Sequence, residues 1–275
     1  MVCRVGKIAE LMDHIAPEEW AEPWDNVGLL LGDRQYEVKR LMAALDITPS
    51  VVEEAVKREV DMIITHHPII FNPVKKIVDE GEGKLILPLI SNNIAVYCAH
   101  TNLDIAEGGV DDSLAKTLGL KQVKQLNPES LISQSKPGFG RWGKLDPTMS
   151  LTEFADFVAK TLNTPRLDLV GVDKCKENQE ITTVALCGGS GSDFMRKVKE
   201  VGADLFITGE IKYHDALMAD LLGIRVMTVG HFYSERPIIS QLISRLQKAV
   251  DSLQYKVEIF ESQTQRSPYY RMIFD

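Results

Sequence analysis

The sequence predicts an α/β protein built from two similar halves. Three observations support this fold class: short β-branched runs alternate with amphipathic helical patterns, polar residues follow the ends of several predicted strands, and one strand–helix–strand pattern occurs twice. A chain of 275 residues suffices for one large or two modest domains. With 44% hydrophobic and 25% charged residues, it is not a disordered, collagen-like or coiled-coil chain.

Charge and hydropathy narrow the functional classes. The net charge of -8 disfavours nucleic acid as a partner, because a negatively charged surface repels phosphate. No window approaches the ~18 consecutive apolar residues of a membrane span. Glu10 and Asp13 interrupt the apolar residues of the N-terminal segment, which predicts an amphipathic helix rather than a signal peptide. We therefore expect a cytoplasmic protein with no membrane span.

The four cysteines form no C-x-x-C pair, which excludes a thiolate zinc knuckle and a thioredoxin motif. Cys98 and Cys187 lie within apolar, strand-like runs, and we expect them to be buried as small hydrophobic residues.

The first half of the chain begins with apolar residues at helical spacing, which predict a helix from Val5 to Ile15. The segment EPWDNVGLLLGD then predicts a turn that leads into a short strand. Ser50 and Glu53 fit a capping box for a helix that ends near Val60. Apolar runs predict the strands Arg40–Ile47, Asp61–Thr65 and Ile94–Cys98, and helical patterns predict the helices Lys84–Asn92 and Val110–Leu118.

A shift toward Pro, Gly, Ser and Lys between residues 127 and 179 predicts the domain junction. Residues 1–127 are then a first half-domain, and residues 128–275 are a short connecting excursion plus a second half-domain. The excursion contains a predicted strand, Gly138–Leu145, and a helix that opens at Ser150 with Glu153 as its capping partner. Beyond it we predict the strands Thr182–Leu186, Asp204–Thr208, Arg225–Val229 and Lys256–Phe260, the helices Asp193–Val201 and Tyr213–Leu222, and a long helix that follows His231–Glu235 and ends near Val250.

An internal repeat relates the two halves. The stretch AALDITPSVVEEAVKREVDMIITHHP matches VALCGGSGSDFMRKVKEVGADLFITGEI, and IAVYCAHTNLD matches RVMTVGHFYSE. In this alignment His100 corresponds to His231, and Asp104 corresponds to Glu235. The repeat predicts two half-domains related by a pseudo-twofold axis, with strand ends that converge on one cleft.

The adjacent histidines His66 and His67 are the most distinctive feature. They follow a predicted buried strand, and where the chain bends at its end both imidazoles can reach one cleft and contact two metals. Asp104 and Glu235 would add oxygen ligands, and such a set without thiolates suits Zn, Mn, Fe, Co or Ni. The alternatives are a polar strand end before a proline turn and, for Glu235, an acidic residue that favours a helix N-terminus.

His100 and His214 are candidates for orienting a metal ligand or transferring protons, and the alternative for each is a structural hydrogen bond. The turn GGSGS follows a strand and opens a helix, as phosphate-binding loops do. It lacks the Walker lysine and the G-x-G-x-x-G spacing, which favours a plain tight turn.

Five motifs in this order resemble the Nif-three-like family, also called the GTP cyclohydrolase 1 type 2 homologues: EPWDNVGLLLGD, ITHHPIIF, AHTNLD, TGEIKYHDAL and VGHFYSE. The resemblance covers Trp24 to Glu235. It implies a dinuclear site at the junction of the half-domains, with two divalent cations per chain, and a toroidal homohexamer. The implied metal ligands are His66, His67, Asp104, His231 and Glu235, of which Glu235 would bridge the metals. Many members carry Asp in place of Glu210, and some carry an inserted domain for which residues 127–179 are too few.

The resemblance implies a metal-dependent hydrolase that activates water with two metals, acting on a small molecule such as the nucleotide GTP. His100 or His214 would then move protons to the substrate. The alternative is a non-enzymatic metal-binding ring or scaffold that docks partners. An open metal pair in a polar cavity favours catalysis, whereas a saturated, buried pair favours a structural role. A ring that threads DNA is disfavoured by the net charge.

Overall fold

A computed structural model describes residues 1–128, 136–171 and 179–269. Its strands are β1 (Gly28–Leu31), β2 (Arg40–Ala44), β3 (Met62–Thr65), β4 (Ala95–Cys98), β5 (Lys121–Gln125), β6 (Arg141–Ser150), β7 (Asp168–Val170), β8 (Glu180–Ser190), β9 (Leu205–Glu210), β10 (Val226–Thr228) and β11 (Glu258–Glu261). Its α-helices are α1 (Val5–Ile15), α2 (Pro49–Lys57), α3 (Gly83–Ser91), α4 (Thr101–Ile105), α5 (Val110–Thr117), α6 (Leu151–Leu162), α7 (Met195–Glu200), α8 (Tyr213–Leu222), α9 (His231–Glu235) and α10 (Pro237–Ser252).

The first compact unit contains Met1–Ala106 and the chain from Ile239 onward. Its sheet has the order β1-β4-β3-β2-β11, in which only the edge strand β1 is antiparallel to its neighbour. Met42, Ile63 and Val96 form a core with α2 and α3, and the residues that alternate with them are equally buried. A sheet buried on both faces explains why β2, β3 and β4 are continuous apolar runs.

The second compact unit contains Glu107–Ile238. Its sheet has the order β5-β6-β8-β9-β10-β7, with β8, β9 and β10 parallel and the remaining pairs antiparallel. Val184 and Leu186 of β8 belong to a core with α5 and α6, whereas Ala185 and Cys187 belong to a core with α7 and α8. This alternation is the two-residue period of a strand covered on both faces.

Most predicted elements are present, including the capping box of Ser150 and Glu153 at the start of α6. The predicted box of Ser50 and Glu53 is wrong, because α2 begins two residues earlier than that box requires. Thr48 is the N-cap, and its hydroxyl accepts a hydrogen bond from the Val51 amide. The sheet edges β5 and β7 were not predicted.

The compact units divide the chain differently from the predicted boundary between residues 127 and 128. β5 precedes that boundary but pairs with β6 of the second unit, and β11 returns to pair with β2 of the first. The first unit is therefore discontinuous in sequence, and the second is inserted into it.

Cys98 and Cys187 are buried, as expected. Among the described helices, none is both long and apolar enough to cross a membrane.

Candidate metal centre

The end of β3 fixes the position of both adjacent histidines. The backbone amides of His66 and His67 donate to the carbonyls of Ala44 and Leu45, so the pairing with the β2 segment continues past the strand. The Thr65 hydroxyl donates to the Leu45 carbonyl at 2.8 Å. His66 is 1% exposed, so its imidazole is buried.

Three imidazoles cluster at this end of the sheet. The ring centroids of His66, His67 and His100 are separated by 4.9 Å, 5.2 Å and 5.5 Å. One nitrogen from each ring lies within 4.8 Å of the others. We call these three residues the histidine cluster. Nitrogens at this spacing are a geometry in which a single cation can be held between imidazoles.

Each imidazole of the histidine cluster is held at its Nδ1 by an oxygen atom. The partners are the Ala99 carbonyl for His66 at 2.9 Å, the Asp46 carboxylate for His67 at 2.8 Å and the Asp25 carboxylate for His100 at 2.9 Å. Because carbonyls and carboxylates accept hydrogen bonds, Nδ1 is the donor, and the neutral ring then carries its lone pair on Nε2. Metal-binding histidines are commonly oriented in this way.

Asp25 is the most tightly bound of these oxygen partners. Its side chain is fully buried and accepts hydrogen bonds from His100 and from the Thr101 amide and hydroxyl. Burial alone would raise the pKa of the Asp25 carboxyl, but these hydrogen bonds outweigh it and lower the pKa to about 2. Asp25 is therefore an anion that fixes His100 and the start of α4 together.

Asp104 lies one helical turn after His100, on α4. Its Oδ1 is 3.4 Å from Nε2 of His66, and its side chain is 20% exposed. The first unit thus brings three imidazoles and one carboxylate together, which is a nitrogen and oxygen donor set without a thiolate.

The second unit carries a smaller group at the start of α9. His231 Nε2 is 3.0 Å from Oε1 of Glu235, one turn along the helix, and His231 Nδ1 is 3.3 Å from Oε1 of Glu210 at the end of β9. Burial lowers the pKa of His231, but the two carboxylates outweigh burial and raise it to about 9. The carboxylate of Glu235 is 5% exposed.

The glycine turn after β8 makes room for this group. Gly189 has φ of +59°, and a Cβ there would lie 2.5 Å from Oε1 of Glu235. The backbone amides of this turn donate hydrogen bonds to side chains: Gly188 to the Asp111 carboxylate, Gly189 to the Ser234 hydroxyl and Gly191 to the Thr208 hydroxyl. These amides are therefore engaged within the protein, which supports the tight-turn interpretation over a phosphate cradle.

The predicted residues fall into three sets. His66, His67 and Asp104 lie together with His100 in the first unit, and His231 lies with Glu235 in the second. His214 is exposed on α8, with its ring against Tyr213 at 5.4 Å, and its predicted role stays a prediction.

Sequence reasoning missed the two aspartates that orient His67 and His100. Asp46 and Asp25 stand 21 and 75 residues from their histidines, so no local pattern pairs them. The only available signal was position, because Asp46 follows a predicted strand and Asp25 lies in the polar EPWDN turn.

The donor set fits a divalent transition metal. Imidazole and carboxylate ligands suit Zn, Mn, Fe, Co and Ni, and oxygen partners at Nδ1 raise the basicity of the coordinating nitrogen. A hydrogen-bonded network alone would also satisfy these groups, but it would not require three histidine nitrogens to face one another within 4.8 Å.

Comparison with known proteins places the chain in a family. The family model described as Duf34/NIF3 (NGG1p interacting factor 3) matches residues 3–268. The chain belongs to the DUF34/NIF3 family. A member from Clostridium acetobutylicum, named GTP cyclohydrolase 1 type 2 homolog, is 35% identical over 98% of this chain and 99% of its own length.

Solved structures of DUF34/NIF3 relatives share the fold. The Staphylococcus aureus hypothetical protein SA1388 matches with a TM-score of 0.90 and 32% identity, over 98% of this chain and 99% of that one. A Bacillus cereus protein related to NIF3 also matches with a TM-score of 0.90, at 26% identity, over 99% of this chain and all of the other. This DUF34/NIF3 chain therefore has the mixed α/β fold of its relatives along nearly its whole length.

Proposed function

We propose that this DUF34/NIF3 protein is a metal-dependent hydrolase that acts on a nucleotide or a related small molecule. The observation that carries the proposal is the histidine cluster, whose three imidazoles face one another while oxygen atoms hold each Nδ1. The name of the Clostridium acetobutylicum relative suggests a purine nucleotide as the substrate.

The proposed ligands for two divalent cations are His66, His67, Asp104, His231 and Glu235. Such cations would supply Lewis acidity, which lowers the pKa of water and stabilises negative charge on a substrate oxygen. Within the chain, Asp46 and the Ala99 carbonyl orient His67 and His66. The two ligand carboxylates reduce the positive charge gathered at the site.

His100 is proposed to transfer protons. The Asp25 carboxylate accepts a hydrogen bond from the Nδ1–H group of His100, so Nε2 is the nitrogen that can take up a proton. An anionic aspartate also stabilises the imidazolium that forms when His100 takes up a proton, which is the role of a carboxylate beside a general base. His214 is the second candidate for proton transfer.

We also propose that the two parallel strand sets are duplicated. In the first unit, the Asp61 carboxylate accepts hydrogen bonds from the amides of Lys39 and Arg40, where β2 begins. In the second, the Asp204 carboxylate accepts them from the amides of Thr182 and Thr183 on β8. Thr65 donates to the carbonyl of Leu45, and Thr208 donates to that of Gly189. Asp61 and Asp204, and likewise Thr65 and Thr208, occupy aligned positions of the sequence repeat, which supports a common origin for the halves.

The test is a hydrolysis screen of metal-loaded protein against nucleotides and phosphoesters. Glu235→Gln should abolish the activity, because it removes one of only two anionic ligands. Glu258→Gln is the matched control: this carboxylate is 59% exposed on β11, and we expect full activity. His214→Ala should lower turnover by ~10²–10⁴-fold and leave metal content unchanged. Metal-loaded protein that hydrolyses none of these compounds would favour the non-enzymatic scaffold instead.

Self-association is part of the proposal. The resemblance implies a toroidal homohexamer, and light scattering should report a mass well above the 30.7 kDa of one chain. A monomer at micromolar concentration would contradict it.

A further inference from the structure

Two exposed aromatic side chains lie beside the histidine cluster and have no part in the proposed metal chemistry. Trp24 is 58% exposed and Phe71 is 50% exposed. Their ring centroids are 5.9 Å apart at an interplanar angle of 51°. Burial of large aromatic side chains stabilises proteins, so an exposed pair of them is typical of a surface that binds a ligand or a partner.

The aromatic pair adjoins the proposed proton-transfer residue. The centroid of Trp24 is 6.2 Å from that of His100, at an interplanar angle of 76°. The two rings are therefore nearly perpendicular, and the 58% exposed side chain of Trp24 leaves surface on which a flat ligand can stack. A ligand stacked on Trp24 would have its polar edge within reach of the histidine cluster.

Hydrogen bonds anchor the residues next to both aromatic side chains. Asp25, the neighbour of Trp24, is fixed by His100 and Thr101. The side-chain amide of Asn26 donates to the carbonyl of Ile70, the neighbour of Phe71. A binding surface that is already ordered loses little conformational entropy when a ligand binds.

We propose that Trp24 and Phe71 form the binding platform for the heteroaromatic ring of the substrate. The ligand class is a nucleobase, whose flat π-face stacks on the aromatic side chains while its polar edge faces His100. This assignment rests on the proposed function and makes it more specific, because it assigns the recognition of the base to residues that bind no metal. A flat ring with polar edges fits this surface better than an aliphatic or lipid ligand, since the exposed aromatic pair lies beside the imidazole of His100, which can hydrogen-bond to a polar edge.

The expected magnitude follows from known stacking energies. Removal of one stacking side chain weakens base binding by roughly 5- to 150-fold. Trp24→Leu should therefore weaken binding of GMP, AMP or UMP by at least about fivefold and leave ribose 5-phosphate binding unchanged. Trp24→Phe should restore most of the affinity, because it keeps a π-face.

The experiment is calorimetric titration of the metal-loaded full-length protein with these three nucleotides and with ribose 5-phosphate. The wild type, Trp24→Leu, Trp24→Phe and Phe71→Leu are compared, and metal content and melting temperature are measured for each. Trp142→Leu is the control, since Trp142 lies on β6 of the second unit beside Lys124. Base-dependent affinity that falls in Trp24→Leu and Phe71→Leu, but not in Trp142→Leu, supports the platform.

A second measurement reports directly on the indole. The chain has three tryptophans, so a Trp20→Phe, Trp142→Phe variant leaves Trp24 as the only one. GMP should quench its fluorescence, and ribose 5-phosphate should not.

Several outcomes overturn the proposal. They are equal affinity for every nucleotide and for ribose 5-phosphate in the wild type, equal losses for both ligand types in Trp24→Leu, and unquenched Trp24 emission at saturating GMP. The proposed function fails separately: base-specific binding without hydrolysis would reject the hydrolase and keep the platform.

Discussion

Asp46→Asn should weaken metal binding without destabilising the fold. The Asp46 carboxylate accepts a hydrogen bond from Nδ1 of His67, with 2.8 Å between nitrogen and oxygen, and the Asp46 side chain is 41% exposed. Loss of a carboxylate that orients a ligating histidine costs about 10- to 100-fold in metal affinity. An exposed ion pair contributes at most about 1 kcal/mol to folding, so the melting temperature should hardly change.

The assay is calorimetric titration of metal-free protein with Zn²⁺, followed by thermal unfolding. Asp156→Asn is the matched control, because Asp156 is an exposed carboxylate on α6 paired with Lys160 and no histidine. We expect the control to bind Zn²⁺ like the wild type and Asp46→Asn to bind it at least about tenfold more weakly. Asn retains an oxygen that can accept the hydrogen bond from His67, whereas Ala does not, so Asp46→Ala should bind Zn²⁺ more weakly than Asp46→Asn. Wild-type affinity in Asp46→Ala would refute the orienting role.

Two further predictions concern the interior of each unit. Burial raises the pKa of Glu54, but hydrogen bonds from Ser262, Gln263, Thr264 and Arg58 outweigh burial and lower it to about 2. Glu54→Gln should then lower the free energy of unfolding by roughly 2–3 kcal/mol at pH 7. In urea unfolding, this difference should shrink as the pH falls from 4.5 toward 2 and the wild-type carboxyl is protonated; a difference that stays constant with pH would contradict it. Gly189→Ala should displace the Glu235 carboxylate and weaken Zn²⁺ binding. Gly202→Ala is the control, because Gly202 also has a positive φ, of +66°, but open space around a Cβ; it should lower the free energy of unfolding by only about 1 kcal/mol. Equal Zn²⁺ affinity in both variants would refute the steric argument.

The sequence predicts the interior of this fold better than its edges. β3 and β9 are buried apolar runs, and their strand character is visible from composition alone. β5 has the sequence KQVKQ and is exposed along its length, so only its pairing with β6 makes it a strand. β7 is three residues long and equally dependent on its partner. The return of β11 to the first sheet is likewise a long-range contact that local patterns do not encode.

The candidate site likewise has a part that the sequence predicts, the histidines, and a part that it does not, the carboxylates that orient them. His66, His67 and His100 could be found because each follows a buried strand, and the ends of neighbouring parallel strands meet at one edge of a sheet. The structure places their ring centroids 4.9 Å, 5.2 Å and 5.5 Å apart, and their roles at the site stay predictions. The carboxylates that orient them come from other segments, and the pairing appears only when the chain is folded.

Metal content measured on two variants tests the central claim most directly. Protein purified without chelator should contain up to two divalent metal ions per chain by elemental analysis. A variant with both His67→Ala and His231→Ala should lose this metal, and His14→Ala should retain it, because His14 is exposed on α1 and contacts the Glu10 carbonyl. A doubly substituted protein that still binds two metal ions would contradict the account.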